Sequence, residues 1–403
     1  MANVSSSNGL EKRPKLRFPG FDEPYKQCRI GDIYAERSQR GASDMELLSV
    51  TMNDGVMPRS EIEGKDNSSE DKSNYKVVLT GDMVYNSMRM WQGANGISPC
   101  DGIVSPAYTV LMPKIPISNG YFAAFFKSPN LINEFRKNSQ GMTSDTWNLK
   151  YPQIETIKVC IPALSEQNRV ADMLRTLERR IAKQAQLVDN LKKYKRGLLS
   201  REFGQQENGD LNNRYVGKLK DYFHLSSGST PSSTNRALYS GNIRWVSSGE
   251  LKPKYLCETS QHISSEAVSS CNLREYPANT LLVAMYGLEA AGVRGTASIL
   301  SVPATISQAC MAIQQTGEID IEYLYYWYIY NGQWIGIRIA QGTKQQNLST
   351  DTLGNLRIHA PSCSKQKKVC KLLSQIDYLI EKEGQKIDLL SSAKRGLLQQ
   401  LFI

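Results

Sequence analysis

Side chains that could bind a metal ion or form a covalent bond with a substrate are few and scattered in this sequence. The three histidines, His224, His262 and His359, have no acid or nucleophile at the spacing of a catalytic triad or a zinc site. The eight cysteines include no Cys-x-x-Cys pair, so they indicate neither a zinc cluster nor a disulfide framework. We therefore expect a chain with reduced thiols that binds no metal or cofactor itself.

Motifs for phosphate, methyl-group and nuclease chemistry are missing or weak. The sequence has no GxxxxGK[ST] loop, no glycine-rich S-adenosylmethionine loop and no [NDS]PP[YF] motif. Asp54 with Glu63, Gly64 and Lys65 is weakly similar to a nuclease site. The surrounding IEGKDNSSEDKSN is a polar loop, however, in which solvated charges are expected. These observations favour a protein without catalytic activity.

Residues that could recognise DNA bases are concentrated in glycine-flanked loops. Arginine, lysine, glutamine and asparagine offer the paired donors and acceptors that match base edges. In the first half of the chain, the loop MRMWQGANG brings together Arg89, Trp91 and Gln92. Arg37 and Arg40, near an earlier turn, are further candidates. An ordinary exposed position is an open alternative for each single residue, so the prediction applies to the set.

The second half of the chain has loops of the same kind. Ser229 and Thr230 in SGSTPS offer hydroxyl groups that could position phosphates. The other candidates lie in the loops MYGLEAAGVRG and GTKQQN, and they are Tyr286, Arg294, Lys344, Gln345 and Gln346. Here too, each residue taken alone could be an ordinary exposed side chain.

Most of the excess positive charge lies in two segments. The net charge of +10 and the pI near 9.1 are compatible with a polyanionic partner. Residues 162–203 carry a net charge of +5, and residues 361–403 carry +4. The rest of the chain is near neutral, so a DNA-binding surface there has to be a local patch.

These two charged segments are copies of one another. The five residues KRGLL occur at Lys195 and again at Lys394, and a gapless match of PALSEQNRV with PSCSKQKKV leads up to them. Neither copy contains a proline after its first residue, and Ser165 and Ser364 are suitable N-cap residues. The sequence therefore predicts two long helices, each roughly 58 Å long at 1.5 Å per residue.

Apolar residues in both predicted helices recur in sevens, which is typical of a coiled coil. The seam is interrupted at Gln184 and Glu383, near the predicted midpoints of the helices. We therefore predict an antiparallel two-helix coiled coil in which these two residues lie opposite each other; alternatively, both face solvent. The predicted seam consists of Leu174, Leu177, Ile181, Gln184, Val188, Leu191, Leu373, Ile376, Ile380, Glu383, Ile387 and Leu390.

Two segments of similar length precede the helices and repeat more weakly. Short β-branched runs bounded by glycine, proline and serine predict mixed α/β domains, and the aromatic segments YFAAFF and YLYYWYIY are expected to be core helices. We call residues 16–160 the first block and residues 214–360 the second block. The predicted organisation is a tail at 1–15, the first block, a helix at 161–203, a linker at 204–213, the second block and a helix at 361–403. The sequence shows no long apolar run and no signal peptide, so we expect a cytoplasmic protein.

Together these features resemble the specificity subunit of type I restriction–modification systems. The resemblance covers nearly the whole chain and rests on the order of its motifs, which is duplicated around two long helices. The motifs are PKLRFPGF at Pro14, YNSMRMWQGANG at Tyr85, GIVSPAY at Gly102, IPALSEQ at Ile161, SSGSTPSS at Ser226, IRWVSSGEL at Ile243 and KRGLL.

The resemblance implies a subunit that recognises DNA and catalyses nothing. Each block would be a target recognition domain for one half of a split double-stranded DNA target, and the helices would set the gap between the halves. Two methyltransferase subunits that hold S-adenosylmethionine would dock on the helices for adenine methylation, and restriction subunits that use ATP and Mg can join for host defence.

The sequence departs from the family pattern in three places. Lys365 stands where the first copy has Glu166, the second block has TISQA, and GMTSDTWNL lacks the GTxQxNL pattern that residues 342–348 keep.

Two other hypotheses remain open: a protein–protein scaffold, which the near-neutral blocks favour, and a self-contained restriction enzyme, for which catalytic motifs are missing.

Overall fold

The computed structural model describes residues 2–3, 13–41, 44–52, 55–64, 66, 68–143, 146–204, 215–288, 292–340 and 347–403. The chain forms two compact units. The first unit contains residues 1–186 and 384–403, and the second contains residues 187–383. Each unit therefore holds one block together with part of both long helices.

The first unit is built on a four-stranded antiparallel sheet in the order β4-β11-β8-β9, with β3 paired to β12, β5 to β6 and β7 to β10. Its strands are β1 (Ala2–Asn3), β2 (Leu16–Arg17), β3 (Lys26–Arg29), β4 (Tyr34–Glu36), β5 (Leu48–Thr51), β6 (Gly55–Pro58), β7 (Lys76–Val78), β8 (Met83–Asn86), β9 (Asn95–Ile97), β10 (Gly102–Val104), β11 (Tyr108–Pro113) and β12 (Lys158–Ile161). Its helices are α1 (Ile30–Ile33), α2 (Asn119–Phe125), α3 (Pro129–Asn138), α4 (Tyr151–Ile154) and the start of α5 (Leu164–Phe203).

The second unit has a five-stranded sheet in the order β14-β21-β18-β19-β16 and a three-stranded sheet in the order β17-β15-β20. Its strands are β13 (Tyr215–Lys218), β14 (Phe223–Ser227), β15 (Ile243–Val246), β16 (Tyr255–Leu256), β17 (Gln261–Ile263), β18 (Leu281–Ala284), β19 (Ala297–Leu300), β20 (Thr305–Ile306), β21 (Cys310–Gln315) and β22 (Arg357–Ala360). Its helices are α6 (Leu219–Tyr222), α7 (Ser265–Ser270), α8 (Ile321–Trp334), α9 (Thr350–Gly354) and the start of α10 (Cys363–Leu401).

Both units begin and end their block in the same way. An antiparallel ribbon, β3 with β12 or β13 with β22, joins the start of the block to the strand before the long helix. The predicted mixed α/β class is confirmed. The aromatic segments are core helices as predicted: Phe122 in α2 and Tyr326 in α8 are fully buried.

The long helices begin before the serines that the sequence predicts as their N-caps. Helix α5 starts at Leu164 and α10 starts at Cys363, so Ser165 and Ser364 lie inside the first turn and not at the N-cap. The backbone carbonyls of Ala163 and Ser362 accept the first helical hydrogen bonds, from the N–H groups of the glutamines four residues later. None of the helices in the described ranges is long and apolar enough to cross a membrane.

Burial along the long helices follows the predicted seam. In α5 between residues 175 and 197, every side chain is exposed except Leu177, Ile181, Gln184, Val188, Leu191 and Lys195, which are half-buried. Leu174, Leu373 and Ile376 are buried, and Ile380, Glu383, Ile387 and Leu390 are half-buried. That Gln184 and Glu383 lie opposite each other stays a prediction.

Candidate nucleic-acid interface

Two loops that are far apart in the sequence meet at one surface of the first unit. The loop of residues 87–95 follows β8, and the loop of residues 139–149 precedes α4. The backbone N–H of Leu149 donates to the carbonyl of Ser87 at 2.8 Å, and the rings of Trp91 and Trp147 contact edge to face with centroids 5.2 Å apart. We call these two segments the first loop pair.

The first loop pair presents both a cation and an apolar surface. The side chain of Arg89 is exposed, while those of Trp91 and Gln92 are half-buried. The indole N–H of Trp91 donates to the carbonyl of Met88 at 3.0 Å, which fixes the ring. Gly93 closes the short 3-10 turn with φ of 84°, a left-handed conformation that favours glycine. The pair therefore offers a guanidinium donor beside a rigid aromatic platform, which suits base-edge and stacking contacts.

Arg37 has an internal partner in this structure. Its guanidinium donates to both carboxylate oxygens of Asp82, at 2.6 and 3.1 Å, and its side chain is 18% exposed. The hydrogen bond from Arg37 to Asp82 raises the pKa of this arginine. Arg40 is exposed, and its guanidinium donates to the side-chain carbonyl of Asn74. A base contact by Arg37 would have to replace its bidentate pairing with Asp82.

A second loop pair occupies the corresponding place in the second unit. The described parts of its two segments are residues 285–288, 292–295, 340 and 347–348, and the backbone N–H of Leu348 donates to the carbonyl of Met285 at 2.8 Å. Tyr286 and Arg294 are half-buried here, and Nε of Arg294 donates to the carbonyl of Leu288 at 2.6 Å. The other three predicted contacts, Lys344, Gln345 and Gln346, lie outside the described residues.

The serine–threonine loop of the second block is held by β20 and its neighbours. The backbone N–H of Ser229 donates to the carbonyl of Ile306 at 3.1 Å, and the indole of Trp245 donates to the carbonyl of Ser229 at 3.3 Å. The hydroxyl of the exposed Thr230 accepts from the backbone N–H of Gln308 at 3.2 Å. The loop therefore lies beside β15 and β20, and it is close to the second loop pair, because the backbone N–H of Met285 donates to the carbonyl of Ala309, the residue after Gln308, at 2.9 Å.

Two repeated glutamines attach each block to its long helix, a role that sequence reasoning missed. The side-chain carbonyl of Gln167 accepts from the backbone N–H of Ser118 at 3.0 Å, and its amide donates to the carbonyl of Pro162 at 2.9 Å. In the second unit, Gln366 accepts from the N–H of Asp320 at 2.8 Å and donates to the carbonyl of Pro361 at 2.8 Å. The sequence shows that both copies of the repeat contain this glutamine, but it does not show which backbone groups the two glutamines bind.

The lysine of KRGLL joins the two long helices in each unit. In the first unit, Lys394 of α10 pairs with Glu178 of α5 at 2.6 Å, and in the second unit, Lys195 of α5 pairs with Asp377 of α10. Lysine and acid are both displaced by 199 residues, so the two ion pairs are copies. The two leucines of each KRGLL pack against a hydrophobic core, so the lysine and both leucines have a structural reason to occur twice.

A buried ion pair accounts for one departure from the repeat. Glu166 accepts from Arg17 through both carboxylate oxygens, at 2.9 and 2.8 Å, and from the hydroxyl of Tyr25 at 3.2 Å. The hydrogen bond from Glu166 raises the pKa of Arg17, and burial raises that of Tyr25. Because Arg17 belongs to PKLRFPGF, which occurs only before the first block, the second copy has no such partner and carries the exposed Lys365 instead.

One group of potential metal ligands comes together in the second unit. A ligand atom from each of Asp320, Glu322 and Cys370 lies within 4.8 Å of the others. The carboxylate of Asp320 already accepts from the backbone N–H of Glu322, and that of Glu322 is paired with Lys254. Burial raises the pKa of the Cys370 thiol, which opposes metal binding. This arrangement suits internal hydrogen bonding better than a metal ion.

Comparison with known proteins agrees with the sequence motifs. A family model for the type I restriction modification DNA specificity domain matches residues 213–391. The specificity subunit of the type I restriction enzyme MjaIX from Methanocaldococcus jannaschii is 29% identical over 47% of this chain and 43% of its own length. That of EcoR124I/EcoR124II from Escherichia coli is 23% identical over 60% of each chain. The chain therefore spans between two fifths and three fifths of these relatives.

The fold is that of a solved specificity subunit. The type I restriction–modification S subunit from M. genitalium superposes with a TM-score of 0.59 over 97% of this chain and 99% of its own, at 14% identity. These findings agree with the resemblance stated from the motifs: residues 213–391 match the specificity-domain model, and the chain is similar to type I specificity subunits in sequence and in fold.

Proposed function

We propose that this chain is the non-catalytic DNA-recognition subunit of a type I restriction–modification complex. Each block recognises one half of a split target through its loop pair. The observation that carries this proposal is the repeated loop pair: the same main-chain hydrogen bond at 2.8 Å joins two loops in both units, while the side chains differ. A shared frame with Arg89 and Trp91 in one copy and Tyr286 and Arg294 in the other is suited to two different half-sites.

In this proposal α5 and α10 form an antiparallel coiled coil that sets the gap between the half-sites. The copied pairs Lys394–Glu178 and Lys195–Asp377 and the seven-residue burial pattern support it. Two methyltransferase subunits dock on the helices and supply S-adenosylmethionine for adenine methylation. Restriction subunits that use ATP and Mg join the complex, and this chain contributes recognition.

Genome-wide mapping of methylated bases tests the proposal. The chain is co-expressed with its neighbouring methyltransferase, with and without this gene. We expect a motif of two short defined halves with a fixed gap, which disappears when the chain is absent. If methylation is unchanged by removing the chain, and the assembled complex binds DNA without sequence preference or salt dependence, the scaffold hypothesis replaces this one.

Lengthening α5 is expected to lengthen the gap. Four residues inserted after Gln184 extend the helix by roughly 6 Å, and one base pair rises about 3.4 Å. The methylated motif should therefore gain one or two unread base pairs while both halves keep their bases. The same insertion in the segment 205–214 is the control and should leave the gap unchanged. A changed half-site with the original gap would contradict the role of the helices.

Replacing Arg89 is expected to relax one position of the first half-site. A bidentate arginine–base contact contributes about 1–3 kcal/mol of discrimination, so Arg89→Ala should make one base degenerate while the second half-site keeps its sequence. Arg89→Lys, which keeps the charge but loses the fork of donors, should relax the same base. The readout is the methylated motif of each variant. An unchanged motif in both variants would remove Arg89 from the set of base contacts.

A further inference from the structure

Lys254 joins the edge of the five-stranded sheet to helices of the second unit. It lies directly before β16, and its side chain is 13% exposed. Its ammonium group donates to the carboxylate of Glu322, to the hydroxyl of Tyr326 at 2.9 Å and to the hydroxyl of Ser374 at 2.7 Å. Three acceptors satisfy all three N–H groups of the lysine. Glu322 and Tyr326 belong to α8, and Ser374 belongs to α10.

The same network continues to α5. The hydroxyl of Ser374 donates to Glu322 at 2.6 Å, and the hydroxyl of Tyr326 donates to Asp377 at 2.8 Å. Asp377 in turn accepts from Lys195 of α5. Burial alone would raise the pKa of Glu322, but the hydrogen bonds from Lys254 and Ser374 outweigh it and the pKa is lowered. The carboxylate is therefore ionised, and it is held by an ammonium group in a half-buried environment.

The backbone of Lys254 is fixed as firmly as its side chain. Its carbonyl accepts from the N–H of Ile299 in β19 at 2.7 Å, and the hydroxyl of Ser298 donates to the carbonyl of Pro253 at 2.6 Å. One end of this residue therefore moves with the sheet of the second block, and the other end moves with the long helices. Such a residue resists rocking of the block on the helices.

The first unit lacks this connection on the long helix. The 199-residue repeat keeps the pair Lys195–Asp377 as Lys394–Glu178. Ser374, in contrast, corresponds to Arg175, which is exposed and paired with Asp172. Small residues also replace Glu322 and Tyr326 when helix α2 of the first unit is aligned with helix α8 of the second unit.

Helices α2 and α8 can be aligned by their N-caps, Ser118 and Asp320, which the two repeated glutamines hold. On that alignment, Gly120 and Ala124 stand at the places of Glu322 and Tyr326. A cavity of about 860 Å³ lined by Gly120, Ala124 and Arg175 occupies this region of the first unit. The shared frame therefore folds without the network, which is a special feature of the second unit.

We propose that Lys254 is a positioning residue that fixes the orientation of the second block on the long helices and thereby restricts the gap that the complex accepts. This inference rests on the proposed function. A gap changed by one base pair moves the second half-site by about 3.4 Å and rotates it by about 35°. A block held by Lys254 does not follow this displacement, whereas a block released from the helices can rock toward it.

The test compares Lys254→Met with Lys252→Met in the complete complex with its methyltransferase. The control removes the same charge from an exposed lysine two residues away. Methylation is measured at the native target and at targets whose gap is one base pair shorter or longer. For Lys254→Met we expect unchanged half-site bases and about a tenfold rise in methylation at the altered gaps, because hydrogen bonds to charged groups contribute at least that factor. The control should keep the native preference.

Ser374→Ala keeps the lysine–glutamate pair but removes the direct hydrogen bond from Lys254 to α10, so it serves if Lys254→Met does not assemble. It should give a smaller rise at the altered gaps. The inference is wrong if an assembled Lys254→Met complex keeps the native gap preference. If only the Ser374→Ala complex assembles, the same result in that variant overturns the inference. In both cases the proposed function still stands. If the native chain itself directs no split motif, the proposed function fails, and the inference fails with it.

Discussion

Replacing Phe402 with alanine is expected to lower the free energy of unfolding of the first unit by about 3–5 kcal/mol. The ring is 3% exposed in the core of that unit. It stacks on Phe125 with centroids 5.3 Å apart and meets the edge of Tyr121 at 5.2 Å. Removing it leaves a cavity between α2 and the end of α10, so the first block loses contacts that hold it to the long helix.

Phe203, the copy of Phe402 in the repeat, provides the matched experiment. It is also 3% exposed, and it contacts Tyr323 of α8 in the second unit at 5.2 Å. Phe203→Ala should therefore destabilise the second unit and spare the first. Hydrogen exchange of β11 and β21 separates the two effects, because each strand reports on its own unit. Leu389→Ala, at a side chain that is 71% exposed, is the control with little expected effect. Equal loss of protection in both strands for either variant would contradict the assignment.

The sequence predicts the long helices well because they repeat. Two copies of one pattern identify the seam, and burial at Gln184 and Glu383 follows it even though both side chains are polar. What the repeat cannot supply is the partner of a repeated residue. Gln167 is identical to Gln366 because each binds a backbone N–H nearly 50 residues away, and no local pattern marks that distance.

The candidate site shows the same limit. Glycine loops rich in donors predict Arg89 and Trp91 as base contacts, and this stays a prediction. The contact between Trp91 and Trp147 and the pairing of Arg37 with Asp82 arise only when distant strands come together. The sequence does not predict the role of Lys254 for a related reason: its three acceptors lie on two helices, between 68 and 120 residues away.

The exchange of Glu166 for Lys365 in the repeat allows a second large effect to be predicted. Glu166→Gln should lower the free energy of unfolding of the first unit by about 3–5 kcal/mol, because a buried pair that loses one charge leaves the other uncompensated. Arg17 is 5% exposed and Glu166 is 2% exposed, so water cannot replace the lost partner. Lys365→Gln, at the exposed equivalent position, should change stability by about 0.5 kcal/mol or less.

Chemical denaturation followed by hydrogen exchange in β2 and β11 measures this difference. The double variant Arg17→Met, Glu166→Leu distinguishes charge from shape. Because the cost of the single variant comes mainly from an unpaired buried cation, replacing both partners with apolar side chains of similar size should recover most of the stability. If the double variant is as unstable as Glu166→Gln, the hydrogen bonds that Glu166 accepts, including the one from Tyr25, hold the PKLRFPGF segment on α5, and the ion pair itself contributes little.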